Sequence, residues 1–172
     1  MTRDHIFYVD MDGDGKREVV SEINGVWNRV TVWDGVGNAL FNANFGPGNS
    51  IPARNIRDLD VADLDGDGRQ EILVALSSGL VVALNHRCEK LWSARMPSPP
   101  TVLAAFGAED GTPGSIFVGC ENGSARVLDA TGRAQMQGNA DGRPVSILKA
   151  GAGGEQVVTV GTSKGQVARF QW

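Results

Sequence analysis

Glu71-Ile72-Leu73-Val74-Ala75-Leu76-Ser77-Ser78-Gly79-Leu80-Val81-Val82-Ala83-Leu84-Asn85 is the stretch on which the fold turns. Two strand-length runs rich in Val, Leu and Ile flank Ser78-Gly79, where glycine supplies the positive φ that a tight hairpin needs. The same phrase returns 44 residues on as Ser115-Ile116-Phe117-Val118-Gly119, then Gly123, then Arg126-Val127-Leu128-Asp129. A further shift of 42 gives Val157-Val158-Thr159-Val160-Gly161, Gly165 and Ala168-Arg169-Phe170. Upstream, Glu18-Val19-Val20 precedes Glu71-Ile72-Leu73 by 53 residues, the excess lying in a longer connection.

Each copy has one grammar: a short apolar strand, an acidic or Gly-rich turn, a second strand, a tight Gly turn, a third strand ending in Asn or Asp, and a further turn to a fourth. Four strands in a period of ~40–45 residues is what a β-propeller blade requires. The sequence therefore predicts an all-β chain of propeller-type blades, four four-stranded antiparallel repeats forming one domain over residues 1–172. The blades fall at approximately 1–52, 53–98, 99–141 and 142–172. A β-sandwich would also give short strands and turns, but not the same glycine at the same phase three times. The last copy reaches Phe170-Gln171-Trp172 near the end of its third strand, so its outer strand is not evident. Whether the repeats form a small propeller or part of a larger one stays open. The connection over residues 42–56 breaks the period, and is either a binding loop on a rigid scaffold or an ornament.

Composition narrows the function classes. The 172 residues are 41% hydrophobic and 21% charged, which is globular, and the 23 glycines fall between apolar runs as turns. The net charge of −4 includes no basic run, so a nucleic-acid partner has no support. No apolar stretch approaches the ~20 residues of a membrane helix, which argues against membrane insertion, and residues 1–8 lack the apolar segment of a signal peptide. Cys88 and Cys120 read as unpaired, partly buried thiols, with pairing open if they meet in space.

The chemistry is concentrated in Asp10-Met11-Asp12-Gly13-Asp14-Gly15-Lys16-Arg17-Glu18 and Asp63-Leu64-Asp65-Gly66-Asp67-Gly68-Arg69-Gln70-Glu71. Carboxylates at loop positions 1, 3, 5 and 9 repel one another unless a cation offsets the charge. Oxygen donors without His or Cys suit a hard ion, and the flexible shell of Ca2+ fits such a loop better than the strict octahedron of Mg2+. The carbonyls at position 7, Lys16 and Arg69, are expected to add an oxygen each. An EF-hand is excluded because its loop closes with Glu at position 12 between helices, whereas here Glu stands at position 9 before a strand.

Asp-x-Asp-Gly-Asp-Gly-x-x-Glu, followed by an apolar strand, Ser-Gly and Val-x-Ala-Leu-Asn, resembles the FG-GAP/VCBS repeats of integrin-α-like propellers. That resemblance implies two calcium ions, one on Asp10, Asp12, Asp14 and Glu18, the other on Asp63, Asp65, Asp67 and Glu71. The run from Gly79 to Leu91-Trp92 also looks like blades of PQQ-binding-like propellers, which implies that Trp92 packs between blades, with Trp33 or Phe41 doing similar work in the first copy. The corresponding turns of the third and fourth copies, Phe106 to Gly114 and Ala150 to Glu155, lack the ligand set and are expected to hold no ion.

No nucleophile elbow, catalytic carboxylate pair or phosphate loop is evident; His5 and His86 lie in no motif, and Gly151-Ala152-Gly153-Gly154 reads as a turn. The expected function is a non-catalytic calcium-binding module for protein or glycan interaction or for self-association through blade edges. The alternative is an accessory propeller portion of a polysaccharide-active enzyme such as a lyase. Sites of this class fill at ~millimolar free Ca2+, so the expected setting is extracellular, periplasmic or at the cell surface.

Overall fold

The computed structural model describes residues 5–25, 27–46, 55–152 and 155–172. The apolar runs are strands, and no helix occurs among the described residues. A first sheet joins β1 (Ile6–Val9), β2 (Glu18–Ile23), β3 (Arg29–Trp33) and β4 (Ala39–Asn44); a second joins β5 (Ile56–Ala62), β6 (Glu71–Leu76), β7 (Leu80–Leu84) and β8 (Lys90–Arg95). The third holds β9 (Pro100–Phe106), β10 (Ser115–Cys120), β11 (Ser124–Asp129) and β12 (Ala134–Asn139), and the fourth β13 (Pro144–Ala152), β14 (Glu155–Thr162) and β15 (Val167–Gln171). Every sheet is an antiparallel meander in chain order. The fourth sheet has three strands where the repeat would give four; Trp172 follows β15 and packs its ring beside Phe106 and Phe117.

Local chemistry explains the repeated turns. Asp34, Asn85 and Asp129, which close the third strand of three sheets, each accept two backbone amides in the following turn through Oδ1: Val36 and Asn38, Arg87 and Glu89, Thr131 and Arg133. Such Asx turns fold the chain back without help from the core. The 42–56 connection is held at its described ends: Asn55 donates its amide to Asn28 Oδ1 at 2.9 Å, and Ile56 to Asn24 Oδ1 at 3.1 Å. Its residues 47–54 lie outside the described residues, as do Gly153 and Gly154.

Three apolar cores lie between successive sheets. The first sheet contributes Val20, Val30, Val32 and, at its rim, Phe41; the second answers with Leu59, Ile72, Val74 and Leu84. The other face of the second sheet, with Leu73, Ala75, Val81 and Ala83, meets Leu103, Ile116, Val118 and Leu128. Phe117, Ala104, Ala125 and Val127 of the third sheet then meet Val158 and Val160 of the fourth. Sheets two and three are therefore apolar on both faces, which is why β6 is buried along its whole length. Cys88 lies in the first core and Cys120 in the second; both are free.

Trp92 packs between blades. Its indole N–H donates to Ala130 O at 2.8 Å, and its ring lies over Gly132, where an added Cβ would come within 2.6 Å of it. Phe41 holds the station of Trp92 one sheet earlier, each opposing the third strand just before its bulge. It packs in the core that contains Cys88, which sits where Gly132 sits and has φ 60°. The smaller ring leaves room for the thiol. Trp33 instead bonds within its own sheet, to Ser21 Oγ at 3.0 Å.

Polar groups stitch the inner strands. β9 pairs only with β10, and its free edge amides at Leu103 and Ala105 donate to Asp58 Oδ2 (2.6 Å) and Asp60 Oδ2 (2.9 Å) of β5. Lys149 of β13 donates to Asp60 Oδ2 at 2.9 Å and to Ala105 O at 2.8 Å, so one ammonium bridges three sheets. His5 places Nε2 2.9 Å from Asp58 Oδ1 and Nδ1 3.2 Å from Glu22 Oε1. The Asp58 bond, then the Glu22 bond, raise the imidazole from 6.5 to about 10 against the opposing effect of burial.

Gly132→Ala is expected to destabilise the chain by about 1–3 kcal/mol from crowding against Trp92, on top of the positive-φ cost. Gly37→Ala, with φ 92° and nothing within 4 Å, should show only the φ cost of roughly 1–2 kcal/mol; urea denaturation of both variants makes the comparison. Because His5 has a folded pKa above its unfolded one, its contribution is complete below pH ~6.5 and disappears as pH rises through 10. The wild type should therefore lose stability relative to His5→Gln between those limits, measured as the difference between their denaturation midpoints.

Candidate metal centre

The two acidic loops join β1 to β2 and β5 to β6, the first hairpins of successive sheets, and they share their backbone-amide-to-carboxylate hydrogen bonds position by position. Asp10 takes the amides of Gly13 and Gly15 on Oδ1 and Oδ2, both at 2.8 Å; Asp63 takes those of Gly66 and Gly68 at 2.7 and 2.9 Å. Asp12 Oδ1 accepts from Asp14 N and Asp65 Oδ1 from Asp67 N, both at 3.2 Å. At position 9, Glu18 Oε2 accepts from Met11 N at 2.9 Å and Glu71 Oε2 from Leu64 N at 2.8 Å. The glycines at positions 4 and 6 have φ between 77° and 86° in both loops, which lets the backbone wind round the first carboxylate.

This winding brings one oxygen each of Asp10, Asp12 and Glu18 within 4.8 Å of one another, and does the same for Asp63, Asp65 and Glu71. Ligands about 2.4 Å from a shared cation lie at most about 4.8 Å apart, so the spacing of each oxygen triad is compatible with one ion between them. Asp14 and Asp67 stand outside these triads. Asp14 Oδ2 accepts from Lys16 Nζ at 2.9 Å, and this bond with the Lys16 amide holds its carboxyl below the usual range. Lys16 and Arg69 place their amides on Asp14 Oδ1 and Asp67 Oδ1 at 2.7 and 2.8 Å. Glu71 is buried, and burial, with Asp65, Asp63 and Asp67 adding their charge, pushes it up to about 7 despite the Leu64 amide. A carboxylate so placed is costly without a cation beside it, and the all-oxygen donor set fits a hard divalent ion.

Position 2, read from the sequence as a variable residue, has a structural role. Met11 and Leu64 are buried in the first and second cores. Their carbonyls accept amides from the next sheet: Gln70 N to Met11 O at 3.0 Å and Gly114 N to Leu64 O at 2.8 Å. Gln70 and Gly114 each immediately precede the second strand of their sheet. Each loop is thus wedged by its side chain and latched by its carbonyl to its neighbour. The signal was present as an apolar residue between two aspartates in both loops.

The turn of the third sheet carries no comparable triad among the described residues; Glu109 and Thr112 close it through a mutual backbone bridge. His86 lies half-exposed in the β7–β8 turn, and His5 belongs to the inner network described above.

Residues 10–74 match the family profile described as FG-GAP-like repeat, and residues 48–141, more than half the chain, match that of the Lambda-carrageenase beta-propeller domain. No curated protein matches. Among solved structures, the chain is similar to BBS1N in complex with ARL6DN, in one crystal soaked with lead (TM-score 0.68, 14% identity, 97% of this chain and 55% of that one) and one soaked with mercury (0.66, 16%, 97% and 54%). It is also similar to BamB from Moraxella catarrhalis, with TM-score 0.58 and 16% identity over 96% of this chain and 42% of that one. These likenesses show the fold alone, and the chain spans about half the length of those structures.

Leu64→Ala is expected to cost about 2–5 kcal/mol, as for other large-to-small core changes, whereas Arg69→Ala, at an exposed position of the same loop, should stay within about 0.5 kcal/mol. Thermal or urea unfolding in chelator measures the wedge without any contribution from metal.

Proposed function

The chain belongs to the family of the Lambda-carrageenase beta-propeller domain, and from this we propose that it is a non-catalytic, calcium-binding propeller module that presents its surface to a protein or glycan partner. The observation carrying the reading is the doubled triad: two loops at one phase of the repeat, each gathering three carboxylate oxygens within 4.8 Å of one another. Asp10, Asp12 and Glu18 would hold one ion, and Asp63, Asp65 and Glu71 the other. Asp14 and Asp67 would join by rotating their side chains, and Lys16 and Arg69 through their carbonyls.

The ions would act as staples. Each would neutralise a crowded carboxylate set and fix the loop whose position-2 carbonyl is latched to the next sheet, so ligation would stiffen the junction between blades as well as the hairpin. Binding to the folded form alone raises stability by mass action. Filling at ~millimolar free calcium favours an extracellular, periplasmic or cell-surface setting.

A second reading is favoured by the family match itself, whose name is that of a carrageenase. The chain would then be an accessory part of a polysaccharide-active enzyme, with the reacting groups elsewhere. Slowed migration through a carrageenan-containing native gel supports a glycan partner under either reading, and unchanged migration supports a protein partner.

Calorimetric titration of Ca2+ into chelator-stripped protein should give two sites, with Mg2+ far weaker. Asp12→Ala and Asp65→Ala should each remove one, and Tm should rise with free calcium in the wild type. Absence of calcium uptake would overturn the proposal.

A further inference from the structure

The turn between β9 and β10, which lacks a ligand set of its own, docks on the second acidic loop. Ala108 donates its amide to Asp63 O at 2.7 Å and Gly114 to Leu64 O at 2.8 Å, so the turn is fastened near both ends to the first two residues of that loop. The approach is close. A Cβ added at Gly107 would come within 3.2 Å of Asp63 O, and one added at Gly114 within 3.0 Å of Leu64 Cα. Between turn and loop lies a cavity of about 320 Å3, lined by Asp63 and Asp65 from the loop and by Glu109, Asp110 and Thr112 from the turn. Two carboxylates of the third sheet thus share a cavity with two members of the second triad.

The first loop has different company. The second loop docks on it, with Gln70 N on Met11 O at 3.0 Å and Gly68 O beside Gly13. It brings only the uncharged Gly68 and Gln70 to the cavity at Asp10, which the first loop's own Arg17 also lines. The hollow at Asp12, Asp14 and Glu18 is lined by Lys16, Arg17 and Asp34. Positions 7 and 8 differ in the same sense: Lys16-Arg17 in the first loop, Arg69-Gln70 in the second. With every carboxyl ionised, the four carboxylates of the first loop with Asp34, Lys16 and Arg17 leave three net negative charges. The four of the second loop with Glu109, Asp110 and Arg69 leave five. Lys149 also lies near Glu109 and Asp110, but its ammonium is paired with Asp60 at 2.9 Å.

We infer that Glu109 and Asp110 make the second loop the tighter of the two calcium sites, so that the ions load in order, second loop before first. The inference rests on the calcium reading and deepens it. Neither residue needs to enter the coordination shell. A divalent ion feels each unit charge twice as strongly as a monovalent ion does, and the docked turn excludes part of the solvent that would otherwise weaken the attraction. Both side chains are exposed, which keeps the effect moderate and dependent on salt. As a consequence, the junction of the second and third sheets is stapled at lower free calcium than the junction of the first and second.

Calorimetric titration of Ca2+ in dilute buffer at about pH 8 tests this one site at a time. Asp12→Ala retains the second site and should bind roughly tenfold more tightly than Asp65→Ala, which retains the first. Adding Glu109→Gln and Asp110→Asn to Asp12→Ala should weaken binding by about threefold to tenfold. The same pair added to Asp65→Ala should leave its affinity unchanged. Both amides keep the side-chain shape, and Asn accepts the positive φ of 48° at position 110; unchanged melting temperatures in chelator check that the fold is intact. In ~1 M KCl, where screening acts within ~3 Å, the gap between the two single-site proteins should shrink to about twofold or less. Equal affinities in dilute buffer, a tighter first site, a gap that persists in salt, or no response to the two amides overturns the inference and leaves the calcium reading standing. No calcium uptake by any of these proteins overturns both.

Discussion

Face-to-face packing of successive sheets is the constraint on which this chain depends. A lone meander with an apolar face would leave that face in water, and each sheet here buries it against a neighbour. The second and third sheets each lend one face to a predecessor and the other to a successor, which is why β6 is buried and almost wholly apolar. Cross-sheet complementarity then acts at individual positions: Trp92 demands glycine at 132, while the smaller Phe41 accompanies a thiol at 88.

The same stacking creates a polar problem at the inner edge. An innermost strand pairs on one side only, and its remaining amides would lie unsatisfied against the neighbouring sheet. Asp58 and Asp60 answer by accepting the Leu103 and Ala105 amides, and the charges so drawn inward are met by His5 and Lys149. Charge-assisted bonds of this kind are short and directional. They set the offset between sheets, which apolar contact alone leaves loose.

The acidic loops combine both demands. Their position-2 side chains are core residues, their position-2 carbonyls are latches between sheets, and their carboxylates gather around a point at the surface. Apolar wedging fixes where each loop sits, and burial, reinforced by the neighbouring aspartates, raises the pKa of Glu71 above the usual carboxylate range. The glycine amides orient the first carboxylate of each loop, Asp10 and Asp63.

Much of this was legible in the residues. The period, the hairpin glycines and the Asn or Asp at the end of the third strand are local signals, because turn chemistry acts over four or five residues and repeats with the chain. The carboxylate spacing at positions 1, 3, 5 and 9 is likewise local, and the loops gather the oxygens of positions 1, 3 and 9 while position 5 stands outside the triads. Outside the reach of the sequence were the pairing of Asp58 and Asp60 with amides of β9, 45 residues away, the ammonium of Lys149 on Asp60, and the role of Met11 and Leu64 as wedges. These are contacts between sheets. Alternation along a strand tells which residues share a face, but which sheet that face meets, and at what offset, is decided only when the whole stack assembles and its apolar surfaces and edge amides must be satisfied together.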